Sequence, residues 1–484
     1  MSGSRSGSLR AGVVAALTIS FLISCHVGPD YRAPALPQGA ASPLVTVNPA
    51  VETPAPPPDA WWHLYNDGRL DALVQEALQA NRDLAAAEAN LTAARAALSE
   101  VHARRYPSTA LSASAIRGRD PVTNEILELT GRPPQTIWLY EDVFAVAYEL
   151  DLFGRIHRAI EAASANTQSV AAARDSVRIV VVAGTARSYG AICALGEELQ
   201  VARHSLDVVS HEAEITKQRL DAGAGSEFDL TRAQALADQV RSSIPQLEGE
   251  RKAALFELTA LLGRTPTNAP RELEKCVTPP RVTSLIPVGD GEALIRRRPD
   301  VRQAERRLAA ATAQIGVATA DLFPTIRLTG FYGGAATEPS QLTTSSGLIW
   351  GLGPSISWTF PNQAGPRARV RQAKASEAAA LAAFDSVVLT ALKEAEQALA
   401  EYSAALDRRQ ALADAQTEIH RSFDIAHDEY VAGSVSNLDL LTTEQSLVAL
   451  DAAVASSDAS LIQLQVDVFK ALGGGWHDES LGKP

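Results

Sequence analysis

The stretch DVFAVAYELDLFGR, Asp142–Arg155, decides the fold of this chain. It alternates between an apolar face with aromatic rings and a face of small or acidic residues, which predicts a β-strand. The apolar face holds Phe144, Val146, Tyr148, Leu150 and Leu152. Such a strand suits a wall between lipid and water, although alone it also fits a soluble β-sandwich. Gly154 ends the strand, and about 65 residues of helical pattern follow.

Strand patterns of this kind occur in two pairs along the chain, and the stretch above belongs to the first pair. They cover 108–117 and 137–153, and again 325–334 and 347–360. In the last segment Trp350 and Trp358 share an apolar face, opposite glycine, serine and threonine. The membrane-facing residues predicted from these strands are Phe144, Tyr148, Trp350 and Trp358.

The chain is predicted to be internally duplicated. Tyr106-Pro107 matches Phe323-Pro324 at an offset of 217, because 324 − 107 = 217. We expect each repeat to contain a helix, two strands, a long helix and a further helix, the first helix running from Leu70 to Arg105. The predicted boundaries are 69–264 for the first repeat, 265–290 for an equatorial linker, 291–473 for the second repeat and 474–484 for a tail.

The long helices predict a tube or a stalk. They run from Arg155 to Leu220 and from about Pro366 to Val431, so each spans roughly 100 Å. Four strands cannot close a barrel, and an open strand edge cannot lie in lipid. Three chains would share twelve strands, whereas two would share eight and leave no channel. The expected fold class is therefore mainly α, with a trimeric α-barrel of long helices and a shared 12-stranded transmembrane β-barrel. A soluble trimeric stalk with a β head is the alternative.

The N-terminus predicts export and a lipid anchor. Residues 1–24 read as a signal peptide, with two arginines before an apolar run. The signal ends in Leu-Ile-Ser-Cys, which resembles a bacterial lipobox and makes Cys25 the candidate lipidation site. Residues 25–68 are rich in proline and form the expected extended N-terminal segment. No later segment has some 18 consecutive apolar residues, so we expect no transmembrane helix.

Composition excludes several function classes. A net charge of −12 argues against a nucleic-acid partner. We find no placed nucleophile–base set and no phosphate loop, so we expect no enzyme and no cofactor. Cys193 and Cys276 lack metal-ligand spacing, and no metal is expected. Whether these two cysteines pair or stay reduced is left open by the sequence.

Two helix–helix turns occupy corresponding positions in the repeats. Each begins with a glycine suited to a helix C-terminus and continues as Ser-x-x-Asp, a capping-box pattern. The turn residues are Gly223, Ser226 and Asp229 in the first repeat and Gly433, Ser436 and Asp439 in the second. They either form ordinary turns or also serve a function at the end of a tube.

Several motifs resemble those of the TolC-like outer-membrane factors, in the NodT-type lipoprotein branch serving resistance-nodulation-division efflux pumps. The motifs are Val27–Tyr31, Trp61-Trp62, Tyr148–Arg155, Arg297–Val301 and Ala471–Trp476. The resemblance implies a homotrimeric channel in the outer membrane, extending into the periplasm. A periplasmic adaptor protein and an inner-membrane transporter would be its partners, and outer-membrane lipid would surround its barrel.

The same resemblance assigns the two turns to the periplasmic end of the channel. Gly223, Ser226, Gly433 and Ser436 would then form adaptor-contact turns. An apolar residue five positions after the second glycine narrows the pore in such channels; here it is Leu438, with Phe228 its counterpart. Their gating Asp is Thr442 in this chain, so Asp439 is the candidate for the acidic ring. Asp229 occupies the matching position in the first turn and is also placed at the tip.

The expected function is passive export of drugs or other small toxic compounds through this channel. The outlet of a type I protein secretion system is the alternative within the same family. A structural adhesin or stalk, which would not conduct ions, is the alternative from another class.

Overall fold

The computed structural model describes residues 26–46, 48, 52–53, 55–119, 125, 127–131, 133–282 and 284–474. The predicted signal peptide, the predicted lipidation site Cys25 and all of the predicted tail except Gly474 lie outside these residues.

The same order of elements occurs twice along the chain. The first repeat contains α1 Gly68–Ala80, α2 Arg82–Ala103, β1 Ser108–Gly118, β2 Ile137–Leu150, α3 Arg155–Asp221 and α4 Glu227–Leu261. The second contains α5 Gly291–Arg297, α6 Pro299–Ala320, β3 Thr325–Ala336, β4 Leu348–Ser357, α7 Ala364–Val431 and α8 Asn437–Ala471. The chain is thus mainly helical, with two pairs of strands.

The expectation of one unbroken helix from Leu70 to Arg105 is wrong. Asn81 has an extended backbone, with φ −62° and ψ 132°, and separates α1 from α2. Its Oδ1 accepts the backbone N–H of Leu84 at 3.0 Å, and its Nδ2 donates to the carbonyl of Leu261 at 3.0 Å. Because an Asn side chain can replace backbone partners at a helix start, the helix restarts there. Arg298 separates α5 from α6 at the matching position of the second repeat.

The linker 265–290 has more structure than its irregular sequence suggests. It contains short 3₁₀ turns at Pro266–Asn268 and Arg271–Lys275. Thr53 pairs with Pro287 in a two-residue parallel ladder. Cys193 of α3 and Cys276 of the linker form a disulfide across 83 residues, which answers the question that the sequence left open.

The chain divides into two compact units. The first is drawn from residues 26–34 and from the described residues of Thr92–Val170 and Ala304–Phe384, and it contains the four long strands. Within it, Arg158 is almost fully buried and holds the N-terminal segment. Its guanidinium donates to Asp30 at 2.7 Å and to the carbonyl of Gly28 at 3.4 Å.

The second unit is drawn from the described residues of Ala35–Leu91 and Ala171–Gln303 and from residues 385–474. Its core surrounds the fully buried Trp61, whose ring stacks on Phe469 with centroids 4.8 Å apart. Burial of rings of this size dominates the energetics of a helical core.

By length and mean hydropathy alone, three described helices could cross a membrane: α3, α7 and α8. The sequence predicts no transmembrane helix, because it has no unbroken apolar run of some 18 residues. Alanine-rich helices can reach such a mean hydropathy without an unbroken run of apolar residues. The most apolar window of α7 is only 17% buried within the chain, so this helix has a largely uncovered apolar surface.

Candidate functional site

The four long strands form one antiparallel sheet in chain order, β1-β2-β3-β4. The register places Leu111, Phe144, Tyr332 and Trp350 directly opposite one another across the sheet. All four side chains are exposed, from 46% for Phe144 to 79% for Leu111. An unbroken apolar row with aromatic rings is typical of the lipid-facing surface of an outer-membrane barrel.

The other predicted membrane-facing residues lie on or beside this face. Tyr148 is half-buried and pairs opposite Leu328. Trp358 lies just beyond β4, and its Nε1 donates to the carbonyl of Leu322 at 3.1 Å. An indole with one polar contact and an exposed ring suits the boundary between lipid and water.

The opposite face of the sheet is mixed. Serines, alanines and glycines share it with the apolar Val143, Phe331 and Ile349, and it also carries Glu149, whose side chain is 13% exposed. Glu149 Oε1 accepts from Arg155 at 2.5 Å, and Oε2 accepts from Arg327 at 3.3 Å. A sheet with these two faces can separate lipid from a water-filled lumen.

The first helix–helix turn follows α3. Gly223 has φ +74°, which a residue without a Cβ adopts easily. Its N–H bonds to the carbonyl of Leu220, and the N–H of Ala224 bonds to that of Arg219. These two bonds form a Schellman motif. Ser226 then caps α4, since its Oγ accepts the backbone N–H of Asp229 at 3.1 Å and its hydroxyl donates to that carboxylate at 2.7 Å.

The second turn, after α7, has the same geometry. Gly433 has φ +80°, and its N–H bonds to the carbonyl of Tyr430. Ser436 caps α8 and contacts both the backbone N–H and the carboxylate of Asp439, at 3.3 and 2.5 Å. Sequence reasoning thus placed both caps where the structure has them.

The predicted gate residues are accessible in the isolated chain. Phe228 is 69% exposed and Leu438 48% exposed, and Asp439 is also exposed. Thr442 donates its hydroxyl to the carbonyl of Asp439 at 2.9 Å. That hydroxyl is therefore engaged with its own helix, and Asp439 is the charged group of this turn.

Contacts that sequence reasoning did not select join the two turns. Arg219 of α3 lies over the ring of Tyr430 of α7, and the Asn437 amide donates to the Tyr430 hydroxyl at 3.2 Å. The duplication contained a signal for this contact, since Tyr430 replaces the aliphatic Leu220 of the first repeat. Just beyond it, α3, α4 and α8 share a small apolar cluster of Val209, Leu236, Ala237, Val240 and Leu441.

Comparison with known proteins places this architecture in a family. The family model described as outer membrane efflux protein matches residues 73–264 and 291–474. The antibiotic efflux pump outer membrane protein ArpC of Pseudomonas putida is 28% identical over 468 residues, covering 96% of each chain. The probable outer membrane lipoprotein SilC of Salmonella typhimurium is 28% identical over 472 residues, covering 95% of this chain and 97% of SilC.

A solved structure extends the likeness to three dimensions. The outer-membrane channel OprN superposes with a TM-score of 0.86 at 35% identity, covering 93% of this chain and 100% of that one. The predicted fold class, the TolC-like resemblance and the outer-membrane location are confirmed. The chain belongs to the outer membrane efflux protein family.

Proposed function

We propose that this chain is the outer-membrane exit duct of a tripartite efflux pump and that it passively exports drugs or other small toxic compounds. Three copies would share a 12-stranded barrel in the outer membrane and continue into the periplasm as an α-barrel of long helices. A periplasmic adaptor protein and an inner-membrane resistance-nodulation-division transporter would complete the pump.

The observation that carries the proposal is the four-stranded sheet with one apolar face. Within the described chain, β1 and β4 each pair on one side only. Because hydrocarbon cannot satisfy free backbone N–H and C=O groups, these edges need strands from further copies. Three copies supply twelve strands, and the face that carries Glu149 and the serines then lines a lumen.

The two turns support an assignment as the periplasmic end of the duct. They are exposed, firmly capped and built alike, so a partner protein would meet two similar surfaces on each copy. We assign Gly223, Ser226, Gly433 and Ser436 to this adaptor contact. Three-fold symmetry would gather Leu438 into an apolar constriction and Asp439 into an acidic ring, with Phe228 and Asp229 beside them.

The N-terminal segment supports a lipid anchor at Cys25. Arg158 holds the residues that follow Cys25 through Asp30 and the Gly28 carbonyl. An anchor there would keep the chain at the membrane surface before barrel closure.

The function is tested by deleting the gene and measuring sensitivity to a panel of toxic compounds and release of secreted proteins. Export of small compounds predicts hypersensitivity that the intact gene reverses. Loss of protein release with unchanged sensitivity would instead assign the chain to a type I secretion system. A purified protein that cross-links as a trimer but conducts no ions in a planar bilayer would favour a stalk.

A further inference from the structure

Glu444 is a carboxylic acid buried near the two turns. It lies on α8, eight residues after the cap Ser436, and is only 1% exposed. Glu212 of α3 is 5% exposed and acts on it electrostatically. Oε1 of Glu444 and Oε2 of Glu212 make no hydrogen bond with any protein group of the described chain.

Two ionised carboxylates in such a place would be costly, because each loses water and repels the other. Burial, and secondly the negative charge of Glu212, raise the pKa of Glu444 to about 8. At neutral pH Glu444 is therefore mostly protonated, and a neutral carboxyl can donate a hydrogen bond to a carboxylate.

The groups around this pair come from two other helices. From α7, His427 places its Nδ1 3.0 Å from Oε1 of Glu212. From α4, the apolar Leu236, Ala237 and Val240 cluster with Val209 and Leu441, which precede Glu212 and Glu444 by three residues each. A cavity of about 560 Å³ reaches Glu212 and is lined by Asp207, His211 and Glu212 of α3 and by Asp424, His427 and Asp428 of α7.

This polar cavity gives Glu212 a route to water. Glu444 is buried with an unpartnered oxygen, and a carboxylate in such a place is costly unless it binds a proton.

We propose that Glu444 and Glu212 form a proton-binding site that holds the ends of α3 and α8 together when it is occupied. Release of the proton loosens this end of the helices. On the proposed channel function, the channel is then held closed in neutral or acidic surroundings and opens more readily in alkali.

The direction of the pH dependence follows from where the proton is bound. The folded chain holds this proton between the ordinary glutamate pKa of 4.5 and about 8, whereas the unfolded chain releases it. Ionisation of Glu444 therefore lowers the local free energy of unfolding. This loss is smallest in acid and grows as pH rises toward about 8. The ionised fraction rises about tenfold between about pH 7 and about pH 9.

The first test is infrared spectroscopy of the purified protein, which does not depend on channel activity. A protonated carboxyl has a C=O stretch that a carboxylate lacks. We expect a band that titrates away near pH 8 and is missing in Glu444→Gln. Glu214→Gln, an exposed position of the same helix as Glu212, should retain it. A band absent from the wild type at neutral pH, or unchanged in Glu444→Gln, would overturn the proposal.

The second test is conductance of the trimer in planar bilayers between about pH 6 and about pH 9. We expect opening to rise up to about tenfold between about pH 7 and about pH 9 in the wild type and to be flat in Glu444→Gln. In Glu212→Gln the midpoint should move to lower pH, because the repelling carboxylate is gone. If Glu444→Gln does not assemble, the shifted midpoint of Glu212→Gln still tests the proposal. The proposed proton-binding site would be overturned by a flat wild-type profile. It would also be overturned if Glu444→Gln and Glu212→Gln both left the profile unchanged. A titrating infrared band in a protein that conducts at no pH would contradict the channel function instead.

Discussion

Arg219 and Tyr430 join the two repeats next to their turns. The guanidinium carbon of Arg219 lies 4.0 Å from the centre of the Tyr430 ring, and its Nη2 donates to the Tyr430 carbonyl at 3.0 Å. Tyr430 is 5% exposed, and its hydroxyl accepts from Asn437 at the start of α8. Arg219 thus connects the end of α3 to α7, and Tyr430 extends the contact to α8.

Arg219→Gln should loosen the turns. It removes a cation–π contact worth up to about 2 kcal/mol and weakens a hydrogen bond worth about 1 kcal/mol. We expect faster amide hydrogen exchange in residues 223–229 and 433–439 and a higher conductance of the isolated channel. The matched control is Lys217→Gln, an exposed cation on the same helix. If both variants exchange like the wild type, the contact does not hold the turns.

The acidic ring and the apolar constriction are separable by substitution. Asp439→Ala should weaken cation selectivity, because three gathered carboxylates attract cations. Leu438→Ser should raise conductance, since a hydroxyl admits water where the isobutyl group excludes it. Single-channel recording at matched salt measures both properties.

Ser436→Ala controls for the alternative that Asp439 is needed only to start the helix. It removes the cap of α8, at a cost of about 0.5–2 kcal/mol, but leaves the carboxylate in place. Selectivity that falls equally in Ser436→Ala and Asp439→Ala would assign Asp439 to capping. Unchanged ion flow in assembled trimers of the Leu438 and Asp439 variants would place the constriction elsewhere along the tube.

Trp61 should be indispensable for a stable second unit. It is fully buried against Phe469, so Trp61→Ala should cost about 3–5 kcal/mol. Trp61→Phe keeps a stacked ring, and the indole Nε1 makes no hydrogen bond in the described chain, so its loss should be milder. Denaturant unfolding of the detergent-solubilised protein measures both. Equal midpoints for the two variants would contradict a role for stacking.

Removal of the disulfide should lower stability through the unfolded state. In the chain-entropy model, a crosslink across 83 residues raises the free energy of the unfolded chain by about 4.5 kcal/mol. We expect Cys193→Ser with Cys276→Ser to unfold at a lower temperature than the wild type. A reductant should lower the wild-type midpoint and leave the double variant unchanged. A wild type that is insensitive to reductant would show that the bond does not contribute.

Patterns that repeat along one element were readable from the sequence. The alternation around Tyr148 and Trp350 fixed the strand faces, and Gly223 and Gly433 with their serines fixed the turns, because each feature depends on a few neighbouring residues. The split of the first helix at Asn81 was missed. An Asn within a helical pattern is ambiguous until its partner, the Leu261 carbonyl from 180 residues further on, is known.

Long-range polar contacts were the other class that the sequence did not reveal. Burial and the charge of Glu212, which lies on another helix, raise the pKa of Glu444. A glutamate in an amphipathic helix normally faces water, so neither effect is visible in the sequence. The contact of Arg158 with Asp30 crosses 128 residues. No local pattern encodes such pairs, because the charge that explains each residue lies far away in sequence.

In the described chain, β1 and β4 each have one outer edge without a neighbouring strand. These edges affect the rate at which the barrel forms. If the barrel closes only when three chains meet, membrane insertion depends steeply on the local concentration of chains. A single chain before that encounter carries two free strand edges and an exposed aromatic row, which is a template for aggregation. Tethering each chain to a surface by a lipid would confine the search to two dimensions. Biogenesis of this protein should then slow far more than twofold when its expression is halved.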